Sequence, residues 1–341
     1  MQDLMPTIWF CVVAVMVAVY VVLDGFDLGA GILHLSIART DSERRAVLAS
    51  IGPVWDGNEV WLLAGGGTLY FAFPALYAAG FSGFYLPLMM VLWLLILRGI
   101  SIEFRNHLDH TVWAPFWDTV FCLASALLAI FFGAALGNVV RGVPLDSSGY
   151  FFLPLWTDFT MGREAGILDW YTILIGIAAF LTLAEHGALW VALKTEGPLE
   201  SRARQAAARF WWFVVGAVFL ITIASFRIQP HLGESFRDRP WGYIFPLLAI
   251  AGLIVMRSRK ALHAFLGSCA YIIGMLTSVV FGVYPLVLPS DGDPALSLTI
   301  RNAAAPGYGL EIGLIWFIPG ILLAACYFVY TYRSFAGKVR A

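Results

Sequence analysis

The chain has 341 residues, 60% of them hydrophobic and 13% charged, with a formal net charge of −1. Its mean hydropathy is +0.80, whereas soluble domains carry ~25% charged residues. Such a composition excludes a soluble globular class, and the near-zero charge argues against a nucleic-acid partner.

Apolar runs long enough to cross ~30 Å of hydrocarbon recur along the whole length. They predict an all-α polytopic membrane protein with about nine transmembrane helices. These lie near 8–35, 57–76, 79–98, 116–138, 166–193, 210–227, 242–257, 262–287 and 309–332. The first stretch, MQDLMPTIWFCVVAVMVAVYVVL, lacks a positive n-region and a small-residue cleavage site, so it reads as a retained helix. The first and fifth runs exceed what a bilayer needs and predict tilt or protrusion; the seventh is the shortest.

Residues 1–341 read as a single integral membrane domain with a weak internal repeat over 1–150 and 160–290. "FFGAALGNVVRGVPL" resembles "VVFGVYPLVLPS", and "DGFDLGAGIL" resembles "AEHGALWVAL". Two four-helix units and one peripheral final helix, 309–332, would follow. Of the 21 lysines and arginines, all but Arg141, Arg163, Arg227, Arg237, Arg239 and Arg301 fall on one side of this layout. The basic side faces the cytoplasm, which predicts an external N-terminus and a cytoplasmic C-terminus.

Asp24 and Asp27, in "YVVLDGFDLGAGIL", lie three residues apart and point roughly the same way on a helix. A carboxylate at membrane depth is expensive and normally faces a bundle interior or a water path. Residue types alone leave open whether the pair handles protons or satisfies backbone and arginine groups. In "GPVWDGNEVWLLAGGG", Asp56 and Glu59 have the spacing of a helix N-cap with its reciprocal partner. They would equally suit the inner mouth of a route continued by Asp24 and Asp27, with Asn58 and Glu59 positioning Asp56 and local water.

Histidines are the ligands a buried haem would need. His107 and His110 sit in a polar connection, where solvation explains them better than a surface metal. Only His34 and His186 fall within helices, and His186, beside Glu185, reads as structural. Cys11, Cys122, Cys269 and Cys326 are far apart inside apolar runs and read as small core residues. No metal site is expected. Tryptophans such as Trp9, Trp55, Trp61 and Trp241 cluster near span ends, as interfacial belts do.

Five stretches then appear in order: "LDGFDLGAGIL", "TDSERRAVLASIGPVWDGNEVWLLAGGGTLYFAFPALYAAGFSGFY", "LRGISIEFR", "GNVVRGVP" and "PSDGDPALSLTIRNAA". Together they closely resemble subunit II of the cytochrome bd-type quinol oxidases, including the cyanide-insensitive branch, over nearly the whole chain. The resemblance implies a bacterial inner-membrane oxidoreductase subunit that is not catalytic alone. Its partner would be a haem-bearing subunit I, with haem b and haem d-type (or b-type) centres, in a heterodimer that oxidises quinol and reduces O2 to water. Small single-helix subunits, bound lipid and a structural quinone in this chain are further implied possibilities, the quinone with no residue matched to it. The resemblance assigns Asp56, with the matching acids Asp24 and Asp27, to a cytoplasmic proton path. The short connection between the sixth and seventh spans departs from the longest members. Two competing readings rest on less: a proton-coupled secondary transporter on helix count and buried acids, and a self-sufficient b-type cytochrome on two intrahelical histidines.

Overall fold

The computed structural model describes residues 4–108, 110–162 and 165–339. These residues form α1 (Leu4–Ile37), α2 (Asp41–Ile51), α3 (Trp55–Ala72), α4 (Pro74–Gly83), α5 (Tyr85–Phe104) and α6 (Trp113–Arg141). They continue with α7 (Trp170–Lys194), α8 (Gly197–Ile228), α9 (Pro230–Asp238), α10 (Ile244–Val255), α11 (Ala261–Val283) and α12 (Gly307–Ser334). A short antiparallel pair, β1 (Leu286–Leu288) and β2 (Leu298–Thr299), precedes α12.

Among the described residues, seven helices are long and apolar enough to cross a membrane: α1, α5, α6, α7, α8, α11 and α12. The all-α polytopic class is as expected, but nine spans are not all recovered. α3 holds Asp56, Glu59 and three consecutive glycines within 18 residues. α10 has 12 residues, ~18 Å of helix at 1.5 Å per residue.

Boundaries move for identifiable reasons. Pro74 opens α4 because proline is tolerated in a first turn but not in a helix interior. The predicted second span therefore stops at Ala72, and the third becomes α5, starting at Tyr85. α7 starts at Trp170, capped by Asp169, whose carboxylate accepts from the Tyr171 and Thr172 N–H groups. α8 begins at Gly197 rather than near Phe210, since "ESRARQAAARF" is polar yet rich in good helix formers.

α1 is the central helix, packed against α3, α6, α7 and α11. α5 packs on α6, α7 on α6 and α8, and α11 on both α7 and α10. In chain order the helices can be grouped as α1/α3/α5/α6 and α7/α8/α10/α11, two sets joined by extensive α1–α7 and α6–α7 contacts. Leu310 is the only buried residue of α12, which lies at the periphery. Trp9, expected in an interfacial belt, is instead buried and donates its indole N–H to the Leu310 carbonyl at 3.0 Å.

The two sets meet where α1 crosses α7 at Gly29 and Gly187. A Cβ on Gly29 would overlap the Leu183 carbonyl and the Gly187 backbone, and one on Gly187 would overlap the Gly29–Ala30 peptide. Only glycine permits this approach. Gly187→Val is expected to cost more than the ~1–3 kcal/mol of ordinary core overpacking, because backbone rather than side chain must give way. Loss of the folded, monodisperse protein on size-exclusion chromatography would register it; an unchanged yield and melting temperature would contradict the crossing.

Candidate functional site

The buried chemistry begins on α1. Asp24 and Asp27 are both fully buried, but the helix sends them to different neighbours. Asp24 faces α5, where Arg98 Nη1 donates to Oδ2 at 2.8 Å and Nη2 donates to Oδ1 at 2.5 Å. Neither side chain of this two-pronged pair has any exposure. Planar guanidinium and carboxylate groups match in this way, and both charges are satisfied at once. Glu59 of α3 stands at the edge of the pair, 25% exposed, with Oε2 3.5 Å from Arg98 Nη2.

Asp27 faces α3 instead. Asn58, itself fully buried, donates from Nδ2 to Asp27 Oδ2 at 2.8 Å and to the Leu23 carbonyl at 3.1 Å. Asp27 Oδ1 is buried with no hydrogen-bond partner among the described residues. On the far side of the amide, the Tyr332 hydroxyl of α12 donates to Asn58 Oδ1 at 2.8 Å. Four helices, α1, α3, α5 and α12, thus converge on two carboxyls and one guanidinium.

Asp56 lies apart from this cluster. It is exposed, in the first turn of α3. The expected cap does not form: the N-cap position is Val54, and no side chain accepts a capping bond there. The helix starts two residues earlier than the cap pattern requires, so Asp56 is already helical, where the positive end of the dipole still suits an acid. Asn58, expected to position Asp56, is committed to Asp27 and Tyr332.

A second network went unseen in the sequence. Asp118 of α6 is fully buried and accepts from Arg105 Nε at 2.5 Å and from Arg44 Nη1 at 3.2 Å. His34 Nε2 lies 2.7 Å from the same carboxylate. Arg105 also reaches Asp41 Oδ1 at 2.7 Å, where Arg45 closes on the other oxygen at 2.8 Å. His34 therefore serves an ion-pair network joining α1, α2 and α6. The Arg105 hydrogen bond holds the Asp41 carboxyl below the usual carboxylate range.

His186 has both ring nitrogens engaged, Nδ1 with Ser268 Oγ at 2.7 Å and Nε2 with the Val22 carbonyl at 2.9 Å. Its ring stacks on Phe265 at 5.0 Å. It offers no nitrogen to an iron atom in this arrangement, so it is a packing and hydrogen-bonding residue. Beside it Glu185 is 1% exposed, and its Oε2 is unpartnered among the described residues. The four cysteines are free.

Arg98 and Tyr332 are the site residues that sequence reasoning missed. The orientation count treats Arg98 as one more surface charge, whereas an arginine inside "LWLLILRGISI" asks for a buried acid as its partner. Tyr332 carries no such signal, because it meets Asn58 from 274 positions away. Arg98 and Arg105 are buried in ion pairs rather than solvated, as is Arg141, which pairs with Asp169. Arg163 and Arg340, also used in the orientation count, lie outside the described residues.

The comparisons with known proteins agree with one another. The family model described as cytochrome bd terminal oxidase subunit II matches residues 5–335. The chain belongs to that family. It is 30% identical to the cytochrome bd ubiquinol oxidase subunit 2 of Bacillus subtilis, covering 96% of this chain and 95% of the relative. A probable cytochrome oxidase subunit 2 of Haemophilus influenzae is also 30% identical, over 98% and 95% of the two chains. The cytochrome bd-I ubiquinol oxidase subunit 2 of Escherichia coli K12 matches at 30%, over 95% and 94%. The fold is that of a chain of the bd oxidase from Geobacillus thermodenitrificans, with a TM-score of 0.76 over 97% and 98% of the two chains at 17% identity. As a member of the subunit II family, the chain is a multi-pass component of an oxidoreductase of the bacterial inner membrane.

Two substitutions separate the buried from the exposed half of the Arg105 network. Asp118→Asn leaves Arg105 short of a buried counter-charge and is expected to cost ~3–5 kcal/mol. Asp41→Asn, at a side chain 57% exposed, is expected to cost under ~1 kcal/mol. Because the Asp41 value is lowered by folding, its contribution is complete above the ordinary carboxylate range, ~3.9. It is lost as pH falls through the lower folded value. Melting temperatures of the purified protein against pH test both; equal losses for the two variants would show that burial does not set the difference.

Proposed function

We propose that this chain is the non-haem subunit II of a cytochrome bd-type quinol:dioxygen oxidoreductase. In this reading it scaffolds the haem-bearing subunit I and supplies a proton path from the cytoplasm. The observation that carries the proposal is the charge count at membrane depth. Asp24 consumes the Arg98 guanidinium in a two-pronged pair, while Asp27 is buried beside it with one oxygen unpartnered. An idle carboxylate there would be costly, and a proton is the counter-charge a water-linked site can supply.

The proposed order of groups follows exposure. Asp56 collects protons at the surface-exposed start of α3, Glu59 stands half-way, and Asp24 and Asp27 hold the buried end, with Asn58 between the helices. Oxygen reduction consumes protons, and the haem centres that carry it out belong, in this reading, to the partner subunit, where quinol is oxidised. The chain itself moves and holds protons. Relatives named as ubiquinol oxidase subunits support the substrate class. Small single-helix subunits, lipid and a structural quinone remain part of the proposed assembly. The N-terminus is placed outside and the C-terminus in the cytoplasm.

Asp56→Asn tests the path. The variant retains shape and polarity and makes no change to a cap, because no cap is present. The complex is expected to assemble with its haem spectrum intact while quinol-driven oxygen consumption drops about 100-fold, the low end of what one acid–base group contributes. Asp56→Glu should restore part of it. Normal turnover in Asp56→Asn at normal haem content would remove Asp56 from the path. Separately, the chain expressed without its partner should carry no stoichiometric haem; about one haem per isolated chain in a pyridine haemochrome assay would overturn the non-haem assignment.

Orientation is checked with C-terminal fusions. A fluorescent-protein fusion should glow and an alkaline phosphatase fusion should be inactive, and the opposite pattern would reverse the topology.

A further inference from the structure

The last helix contributes little to the core, yet its end is tied down with unusual care. Beyond α12 the chain folds back as a strap, Phe335–Val339, across the end of α7. Lys194 Nζ donates to the Phe335 carbonyl at 2.6 Å, and the Val339 N–H donates to the Lys194 carbonyl at 2.7 Å. Lys338 Nζ donates to the Thr195 carbonyl at 2.9 Å and to Glu200 at 3.0 Å. Beneath the strap lies a cavity of about 280 Å³, lined in part by Ser50, Val54, Trp190, Lys338 and Tyr332. Tyr332 also packs edge-on against Trp190, with ring centroids 6.3 Å apart.

Tyr332 thus occupies the boundary between this cavity and the buried acids. Its hydroxyl reaches inward to Asn58 Oδ1, and the opposite end of that amide holds Asp27. The roles of the three groups are fixed by valence. The Leu23 carbonyl can only accept, so Asn58 must direct its NH2 toward Leu23 and Asp27. Its carbonyl then points at Tyr332, which must donate. An amide does not readily pass a proton along, so Tyr332 does not relay one.

We infer that Tyr332 is a positioning residue for Asp27: by holding the Asn58 carbonyl it keeps the amide N–H on Asp27 Oδ2 and leaves Oδ1 as the atom that exchanges protons. The inference rests on the proton-path reading above and adds to it a residue and the strap that seats it. The other groups facing Asp27 are Asp24 on its own helix, Glu59 on α3 and Arg98 on α5. His186 stands on the α7 side, held to the Val22 carbonyl, and Cys269 of α11 faces Tyr332. None of these bonds to Asn58. Removing the phenol oxygen would leave a buried carbonyl unsatisfied and free the amide to rock, loosening the bond to Asp27.

The test uses the purified two-subunit complex and Tyr332→Phe, which deletes one atom and leaves the ring in place. Two readouts separate positioning from mere structure. The first is redox-induced infrared difference spectroscopy. The carboxyl band that disappears in Asp27→Asn should be displaced in Tyr332→Phe, because its hydrogen bonding has changed. The second is a double-mutant cycle in turnover with Asn58→Ala. Tyr332→Phe is expected to lower kcat roughly threefold to tenfold with KM for quinol unchanged, the scale of one lost neutral hydrogen bond. It should lower it no further in the Asn58→Ala background.

An unmoved Asp27 band, or additive effects of the two substitutions, would overturn the positioning role. If Asp27→Asn changes neither spectrum nor turnover, the proton-path reading fails at Asp27, and this inference fails with it. Should Tyr332→Phe not assemble, 3-fluorotyrosine at position 332 retains the hydroxyl and strengthens it as a donor. The same band must then move in the direction opposite to that produced by Asn58→Ala, and a stationary band again refutes the role.

Discussion

Asp24 on α1 and Arg98 on α5 neutralise each other where neither can reach water, and the arrangement around them follows from that pairing. Two charges out of solvent are tolerable only in good geometry with their remaining valences met. The two-pronged contact meets that condition and sets how α1 and α5 align. It also exhausts the cation. Asp27, one turn further along α1, has to be served by an amide instead, which draws Asn58 of α3 and then Tyr332 of α12 into the same site. A peripheral helix with a single buried residue is thereby connected to two fully buried acids.

The α1–α7 crossing gives this cluster its setting. Gly29 and Gly187 bring two backbones together, and each follows an acid by two positions, in "FDLGA" and "AEHGA". Placing those glycines in register makes Glu185 the counterpart of Asp27, and both are buried with one oxygen unpartnered among the described residues. That register is what the weak repeat over 1–150 and 160–290 would require. The surroundings of the two acids differ: Asp27 has Arg98 and Asn58 near it, and Glu185 has His186 and aromatic rings.

Burial also alters what the basic residues mean. Arg98, Arg105 and Arg141 each serve a buried carboxylate, so they hold helices together rather than marking either membrane surface. A residue count along loops treats every arginine as solvated, and the orientation proposed here draws its weight from the exposed remainder. The same contrast separates Asp56 from Asp24 and Asp27. Three acids that look alike in sequence occupy a surface, an ion pair and an amide-held pocket.

Class and family were readable from the chain alone. Hydropathy sums over local windows, and "WDGNEVW" with its neighbouring blocks is a linear pattern, so neither needs a fold to be recognised. Helix ends were partly readable. Pro74 and the Asp169 cap are local signals, while the polar start of α8 and the brevity of α10 run against a hydropathy window. Asp24 and Asp27 could be flagged because a carboxyl in an apolar run is costly wherever it points. Their partners could not. Whether Asp24 meets Arg98 and Asp27 meets Asn58 depends on helix rotation and crossing, which are decided by packing at contacts such as Gly29 on Gly187. Tyr332 and Asp118 came into their sites from elements far along the chain, and only the assembled bundle sets such distances.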